Sequence, residues 1–400
     1  MARRITTLTV LAGLVLTIDL PIYPEGMEPL IGVFLGLAAI AALFGMADRR
    51  SRFELVIMAP WAAALLLAFL VGSLHNGESQ QAIEDALPYG LFALGLLGGR
   101  GADRPRTLLR IGFWVCVADT AVSLWLMDSF GAGIRSSYNY YKITAGLPIV
   151  GIYLARVLQV TKTSAHTLSA SALHLVLVVF LAAGIIFSIT RGMMLGALLS
   201  LAIAEYVRRP SQAILGGTVV LLALLAYSSA FAEFGVEYLR LGQESTIEGR
   251  FREIESAWEG FVGSPLFGQG LGSLVEADGS KKAFVHNVLA YHLWKFGLVG
   301  SGLLVLPLFA IARELRSTSR TLRGLALGAG IGCFAYLVTC AGYKTYYLVW
   351  IYGVVVGASL SYFEELRRAA ASQGEKPASS PMADQPRLGT GGGRPHLAKR

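Results

Sequence analysis

The sequence predicts an all-α, polytopic membrane protein of about 12 transmembrane helices. Three observations carry that expectation. Apolar residues make up 54% of the 400 residues and charged residues only 15%, against roughly 25% charge in soluble chains. The apolar residues fall in blocks of about 20, the length that crosses a ~30 Å hydrocarbon core at 1.5 Å per residue. Arg and Lys concentrate in alternate short links between those blocks, the positive-inside pattern. Ten-residue stretches of alternating polarity, the mark of a membrane β-barrel, are absent from the sequence.

In chain order the expected spans are roughly 5–22, 29–46, 54–72, 83–99, 108–127, 144–160, 169–188, 191–206, 212–231, 286–311, 322–342 and 345–362. The first, "MARRITTLTVLAGLVLTI", has the charge and length of a signal peptide. It leads into a Pro/Glu-rich loop and a second apolar block, and the parity of the later links requires it as a retained helix. With the N-terminus inside, the basic links "ADRRSR", "GGRGADRPRTLLR", "RVLQVTK", "YVRRP" and "RELRSTSRTLR" all fall on the cytoplasmic side. The outer links become "DLPIYPEGMEP", "HNGESQQAIED", "DSFGAGIRSSYNYYK", "SITRG", the segment 232–285 and "AGYKT". The net charge of +8 therefore belongs to topology, and no nucleic-acid partner is expected. Cys116, Cys333 and Cys340 lie inside apolar blocks, so no disulfide framework is implied. Residues 1–369 are expected to form one membrane domain. The stretch 370–400, without aromatics and rich in Pro, Gly and Ser, is expected to be a disordered cytoplasmic tail.

The one large outer loop, 232–285, lies between spans 9 and 10. Within it "STIEGRFREIESAWEGFVGSP" opens with a capping-box pattern, Ser245 then Glu248, and closes at Gly263 and Pro265. Ile247, Phe251, Ile254, Trp258 and Phe261 form one apolar stripe at helical spacing. On a helix lying across the bundle mouth by that stripe, Arg250 sits at the stripe's border and Arg252 points to water.

Candidate chemistry gathers on the outer side: His286-Asn287, Arg191 in "SITRGMML", Arg250, and Arg135 in "GIRSSYNYYK". An arginine at a helix boundary needs a partner or a wet cavity. Each also has an ordinary reading: Arg135 and Arg191 snorkelling to headgroups, Arg250 paired with Glu253, His286 a satisfied interfacial residue, and Tyr138, Tyr140 and Tyr141 an aromatic belt. Converging guanidinium forks suit a phosphate or diphosphate, and a histidine beside them can take a proton near neutrality. No metal site is expected: there is no HExxH, no outer cysteine and no acidic pair next to His286, although folding could bring Asp128 or Glu276 near.

These residues resemble the O-antigen ligase family. Its motif of His, then Asn, Ser or Gln, nine residues, and Gly-x-x-Gly is matched by His286-Asn287 and Gly297-Leu298-Val299-Gly300. Its Arg-x-x-x-Leu pattern is matched by Arg191 through Leu195, and "GRFREIESAWEGFVGSPLFGQGLG" is similar to its long periplasmic loop. The resemblance covers about 185–305 well. A second outer pair, His75-Asn76, lacks the glycines, since position 86 is Ala.

The resemblance implies a metal-independent, cofactor-free glycan transferase in the bacterial inner membrane with its active site facing the periplasm. It would move a glycan from an undecaprenyl-diphosphate carrier to an acceptor such as the lipid A–core sugar, as in lipopolysaccharide biosynthesis. His286 would act as general base and Arg191 and Arg250 would hold the diphosphate. Arg135, Asn287 and Trp258 would bind substrate, and Gly297 and Gly300 would let a neighbouring helix pack closely. Membrane lipids are the remaining expected partner. A polysaccharide polymerase of the same superfamily is the near alternative. A polyprenyl-linked glycan transporter is the alternative of a different class, and predicts ionisable residues near mid-membrane.

Overall fold

The computed structural model describes residues 1–18, 28–46, 51–75, 79–130, 146–161, 168–187, 191–226, 244–277, 279–339 and 346–372. The described chain is all-α apart from one small hairpin. Its helices are α1 (Ala2–Ile18), α2 (Glu28–Met46), α3 (Ser51–His75), α4 (Ser79–Gly101), α5 (Pro105–Phe130), α6 (Leu147–Val160) and α7 (Leu168–Phe187). There follow α8 (Arg191–Arg208), α9 (Pro210–Ala226), α10 (Glu244–Gly263), the strands β1 (Val275–Ala277) and β2 (Ser280–Lys282), α11 (Val288–Leu315), α12 (Arg320–Thr339) and α13 (Tyr346–Ser372).

A helix overlaps each expected span, and α10 coincides with the expected loop helix. Among the described residues, four stretches are long and apolar enough to cross a membrane: Met58–His75, Pro105–Trp125, Val288–Leu315 and Arg320–Val338. The chain is a helical membrane protein. Most of the expected tail, 373–400, lies outside the described residues, and α13 runs on to Ser372.

Close helix pairs are built on small residues, which let backbones approach. A Cβ on Gly353 would stand 2.3 Å from the Phe92 carbonyl oxygen, and one on Gly357 would stand 2.2 Å from that of Leu96. Both sets of positions ascend together, so α4 and α13 run parallel. Between α8 and α12 the order reverses: Gly196 meets Gly332, Ser200 meets Gly328 and Ala204 meets Gly324. These two helices are antiparallel. A four-residue turn separates α11 from α12, and Leu337 and Val338 pack on the cluster that holds Val288, Tyr291 and Trp294. The start of α8, the end of α12 and the start of α11 therefore share one end of the bundle.

That second apolar cluster, distinct from the larger core around Trp350 and Leu154, joins α3, α4, α10, α11 and the hairpin. It is the platform on which the candidate site stands.

Candidate functional site

The site is assembled around a break in α11. Gly297 has φ 61° and ψ −167°, a region open to glycine and essentially closed to other residues. In an uninterrupted helix the amides of Leu298 and Val299 would bond the carbonyls of Trp294 and Lys295, four residues back. Here the segment "SPLFGQG" takes both sides of those bonds. Gln269 and Gly270 donate their amides to the carbonyls of Trp294 (2.7 Å) and Lys295 (3.0 Å). Leu298 and Val299 donate to the carbonyls of Pro265 (2.9 Å) and Leu266 (3.0 Å). The loop is spliced into the helix, so the break leaves these four groups paired. A Cβ on Gly297 would lie 2.5 Å from the backbone of Leu266 and Gly268, and one on Gly268 would lie 2.6 Å from that of Lys295 and Gly297.

This corrects the expectation for the two motif glycines. Gly297 admits a loop backbone rather than a neighbouring helix. A Cβ on Gly300 would meet Phe296 of its own chain at 2.8 Å, because the break swings Phe296 across it. The same loop reaches α3, where Leu271 donates to the Ala68 carbonyl (2.9 Å).

A buried ion pair pins the far end of the loop. Lys295 and Asp85 are both fully buried, with Nζ 2.6 Å from Oδ2. Lys295 also donates to the Ser273 carbonyl (2.5 Å), and Asp85 Oδ2 accepts the Gly272 amide (2.9 Å). Nζ lies over the Trp294 ring, 4.2 Å from its centroid. Removing one partner of such a pair strands a buried charge. Lys295→Met is expected to cost about 3–5 kcal/mol, read as a drop in thermal midpoint of the detergent-solubilised protein. The double variant Lys295→Met, Asp85→Leu should recover part of that loss. Neither residue was singled out from sequence, since they lie 210 positions apart.

From this loop the β1–β2 hairpin returns the chain to α10. Ser256 Oγ donates to the Glu276 carbonyl (2.8 Å), and Lys282 Nζ reaches Glu253 Oε1 (2.8 Å). His286 follows, just ahead of α11, with Nδ1 2.8 Å and its own amide 3.1 Å from Glu253 Oε2. Glu253 is buried. Burial pushes its carboxyl up, but hydrogen bonds from His286 and Lys282 outweigh that and bring it down from 4.5 to about 2. An ionised carboxylate only accepts hydrogen bonds, so the imidazole proton belongs on Nδ1. Nε2 is then the basic nitrogen; it has no partner among the described residues. His286 is partly exposed, its side chain at 26%.

The depressed Glu253 carboxyl sets a pH window. Its stabilising contribution is complete above pH ~4.5 and lost as pH falls towards ~2. Wild type should therefore lose more thermal stability than Glu253→Gln over that interval, as measured by parallel melts.

Asn287 caps α11. Its Oδ1 accepts the amides of Leu289 and Ala290, each at 3.0 Å, as Asn, Ser and similar residues do at helix starts. That places a structural duty on a residue expected at the substrate. His292, six residues on, is bonded through both ring nitrogens, to Tyr89 and to the Val288 carbonyl.

The apolar stripe of α10 meets the bundle by one border only, where Ile254 and Phe261 are half-buried. Phe251 and Trp258 are more than half exposed, whereas Glu253 and Ala257 are buried and Gly260 abuts Trp294. In a membrane protein lipid solvates apolar faces, so an apolar stripe need not point into the protein. Arg250 is half-buried and lies within about 20° of both Phe261 and Ala257 around the helix, so the stripe border at which it was expected is the protein-facing one. Arg252 is exposed and pairs with Glu248 at 3.5 Å. Trp258 stands about 140° from Glu253 around α10, turned away from His286 and packed on Phe261.

Arg191 opens α8, at the bundle end shared with the start of α11; its side chain lies outside the described residues. So does Arg135, with all of 131–145. No family model matches the chain, and no curated protein matches it.

Proposed function

We propose that this chain is a glycan transferase of the O-antigen ligase kind, working at the outer face of the bacterial inner membrane. The observation that carries the reading is the His286–Glu253 pair, with Nε2 of the ring left basic at a helix mouth. A histidine held in one tautomer by a carboxylate is the base arrangement of acyl-transfer triads, and a hydroxyl attacking an anomeric carbon can lose its proton to the same kind of base.

In this mechanism the acceptor hydroxyl loses its proton to His286 Nε2 as its oxygen attacks the anomeric carbon of the donor glycan. The bond from that carbon to the phosphate oxygen breaks, and undecaprenyl diphosphate leaves with the electron pair. Glu253 stabilises the imidazolium that forms. Arg250, beside Glu253, and Arg191, at the same bundle end, balance charge on the leaving diphosphate. The exposed Phe251 and Trp258 suit the polyprenyl tail of the donor better than its sugar. The parallel α4–α13 pair and the antiparallel α8–α12 pair support a path that alternates across the membrane, with α10 and the hairpin on the side of His286.

Arg250→Ala is expected to lower transfer much more than Arg252→Ala, because only Arg250 shares the face of Glu253. Equal losses in a purified transfer assay would remove the diphosphate role. Deletion followed by glycolipid analysis separates the ligase from the polymerase. Uncapped lipid A–core beside normal-length carrier-linked glycan means ligase. A single repeat unit left on the acceptor means polymerase.

A further inference from the structure

Two helices measure how deep the spliced loop lies. A ~30 Å hydrocarbon core takes about 20 residues of helix. Counted from Arg313, exposed in the last turn of α11, the core reaches its outer boundary near Leu293. Counted from Arg52, in the basic link where α3 begins, it reaches that boundary near Gly72. The loop touches both helices at or inside these marks. Gly270 packs on Gly72, and Leu271 donates to the Ala68 carbonyl (2.9 Å). Pro265 and Leu266 are bonded to Leu298 and Val299, about 7–9 Å of helix rise below Leu293.

The helix α10 leads down to this depth. Glu253 is bonded to His286, Gly260 abuts Trp294 and Pro265 is bonded to Leu298. Successive turns of α10 thus meet successive turns of α11, and α10 descends beside α11 instead of lying across the bundle mouth. Its charge follows the same depth. Residues 244–259 carry seven charged side chains, and 260–271, "GFVGSPLFGQGL", carry none. The charges stop at the turn that meets Trp294, level with the boundary.

Below that turn Val262, Leu266 and Phe267 stand exposed, continuous with exposed Leu298 and Val299 of α11. Trp258 stands exposed one turn above Val262. The polar backbone is satisfied within the protein. Gly268 donates to the Ser264 carbonyl and Gln269 Nε2 to that of Gly260, each at 2.8 Å, in addition to the four bonds of the splice. Non-helical backbone is admitted at membrane depth on that condition.

We propose that residues 260–271 form a re-entrant segment embedded in the outer leaflet. Val262, Leu266 and Phe267 lie against lipid acyl chains, and Trp258 lies at the headgroup boundary, where tryptophan concentrates. The partner of this apolar edge is the lipid surface itself, and the placement holds whether or not the chain transfers glycans.

The full chain in lipid nanodiscs tests this through its own tryptophan. The emission of Trp258 is the difference between wild type and Trp258→Phe. Phosphatidylcholine brominated high on its acyl chains should quench that difference. Leu266→Trp in the Trp258→Phe background is a deeper probe. It should lose more emission to lipid brominated further down the chains, and almost none to iodide in the water. Glu255→Trp in the same background, on the exposed charged part of α10, should lose emission to iodide and little to brominated lipid. Iodide quenching of the Leu266→Trp probe equal to that of Glu255→Trp would place the segment in water and overturn the proposal. Resistance of Trp258 and the Leu266→Trp probe to both quenchers would mean a protein surface covers the edge, a second copy included, and would overturn it too. Wild-type Trp258 needs no added residue, so absence of its quenching by brominated lipid counts against the proposal even if a probe variant fails to fold.

Discussion

His286→Ala is expected to abolish glycan transfer while the protein inserts and accumulates as wild type. A positioned general base is worth roughly 10²–10⁴ in rate, and Nε2 has no partner among the described residues. Folding should survive because the ring's contacts are few. Its edge meets Phe284 and its Nδ1 meets Glu253, which keeps Lys282 and the backbone amide of residue 286 as partners. The decisive measurement is transfer by purified protein with an undecaprenyl-diphosphate glycan and a lipid A–core acceptor. Wild-type transfer by His286→Ala would sink the base assignment. Glu253→Gln should lose an intermediate amount, since a glutamine can still accept from Nδ1 but cannot stabilise an imidazolium by charge.

Gly297→Ala is expected to be the most damaging small change to the fold. The substitution forces a non-glycine residue into φ 61°, ψ −167° and sets a Cβ 2.5 Å from backbone atoms of Leu266 and Gly268. Backbone cannot yield as a flexible side chain can, so the spliced loop must move, at a cost on the order of 3–5 kcal/mol. Four inter-segment hydrogen bonds hang on that splice, and with them the approach of the hairpin to Glu253. Gly302→Ala, five residues along the same helix, is the control. Nothing lies within 4 Å of its Cβ, and alanine is the better helix former by about 1 kcal/mol. Thermal melts followed by size-exclusion chromatography should show Gly297→Ala far below wild type and Gly302→Ala level with it or above. Equal midpoints for the two variants would mean the splice carries no stability.

Much of this was legible in the residues. The apolar blocks and the loop helix ending at Gly263 follow from local pattern, and helices stand at each. The partners of the site residues were not legible. Glu253 precedes His286 by 33 positions and no local spacing links them. As a neighbour of Arg250 it read as half of a surface ion pair, and its burial against His286 and Lys282 became visible only in three dimensions. Asp85 and Lys295 were hidden for the same reason. Asn287 carried a signal that could have been read: an asparagine immediately ahead of an apolar helix is a cap before it is anything else.

The sequence by itself determined where the chain forms helices, that it is a membrane protein, and that a loop helix and a glycine-rich turn lead to a histidine at a helix start. Those properties depend on hydropathy summed over short windows and on 1.5 Å of rise per residue, both local. The tertiary structure alone decided which face of α10 looks inward, which carboxylate holds His286, and why Gly297 is a glycine. The stripe of α10 misled because lipid competes with the protein core for apolar side chains, so the apolar face ceases to mark the inside. Buried charges such as Glu253 and Lys295 mark it instead, since each must find its partner within the protein.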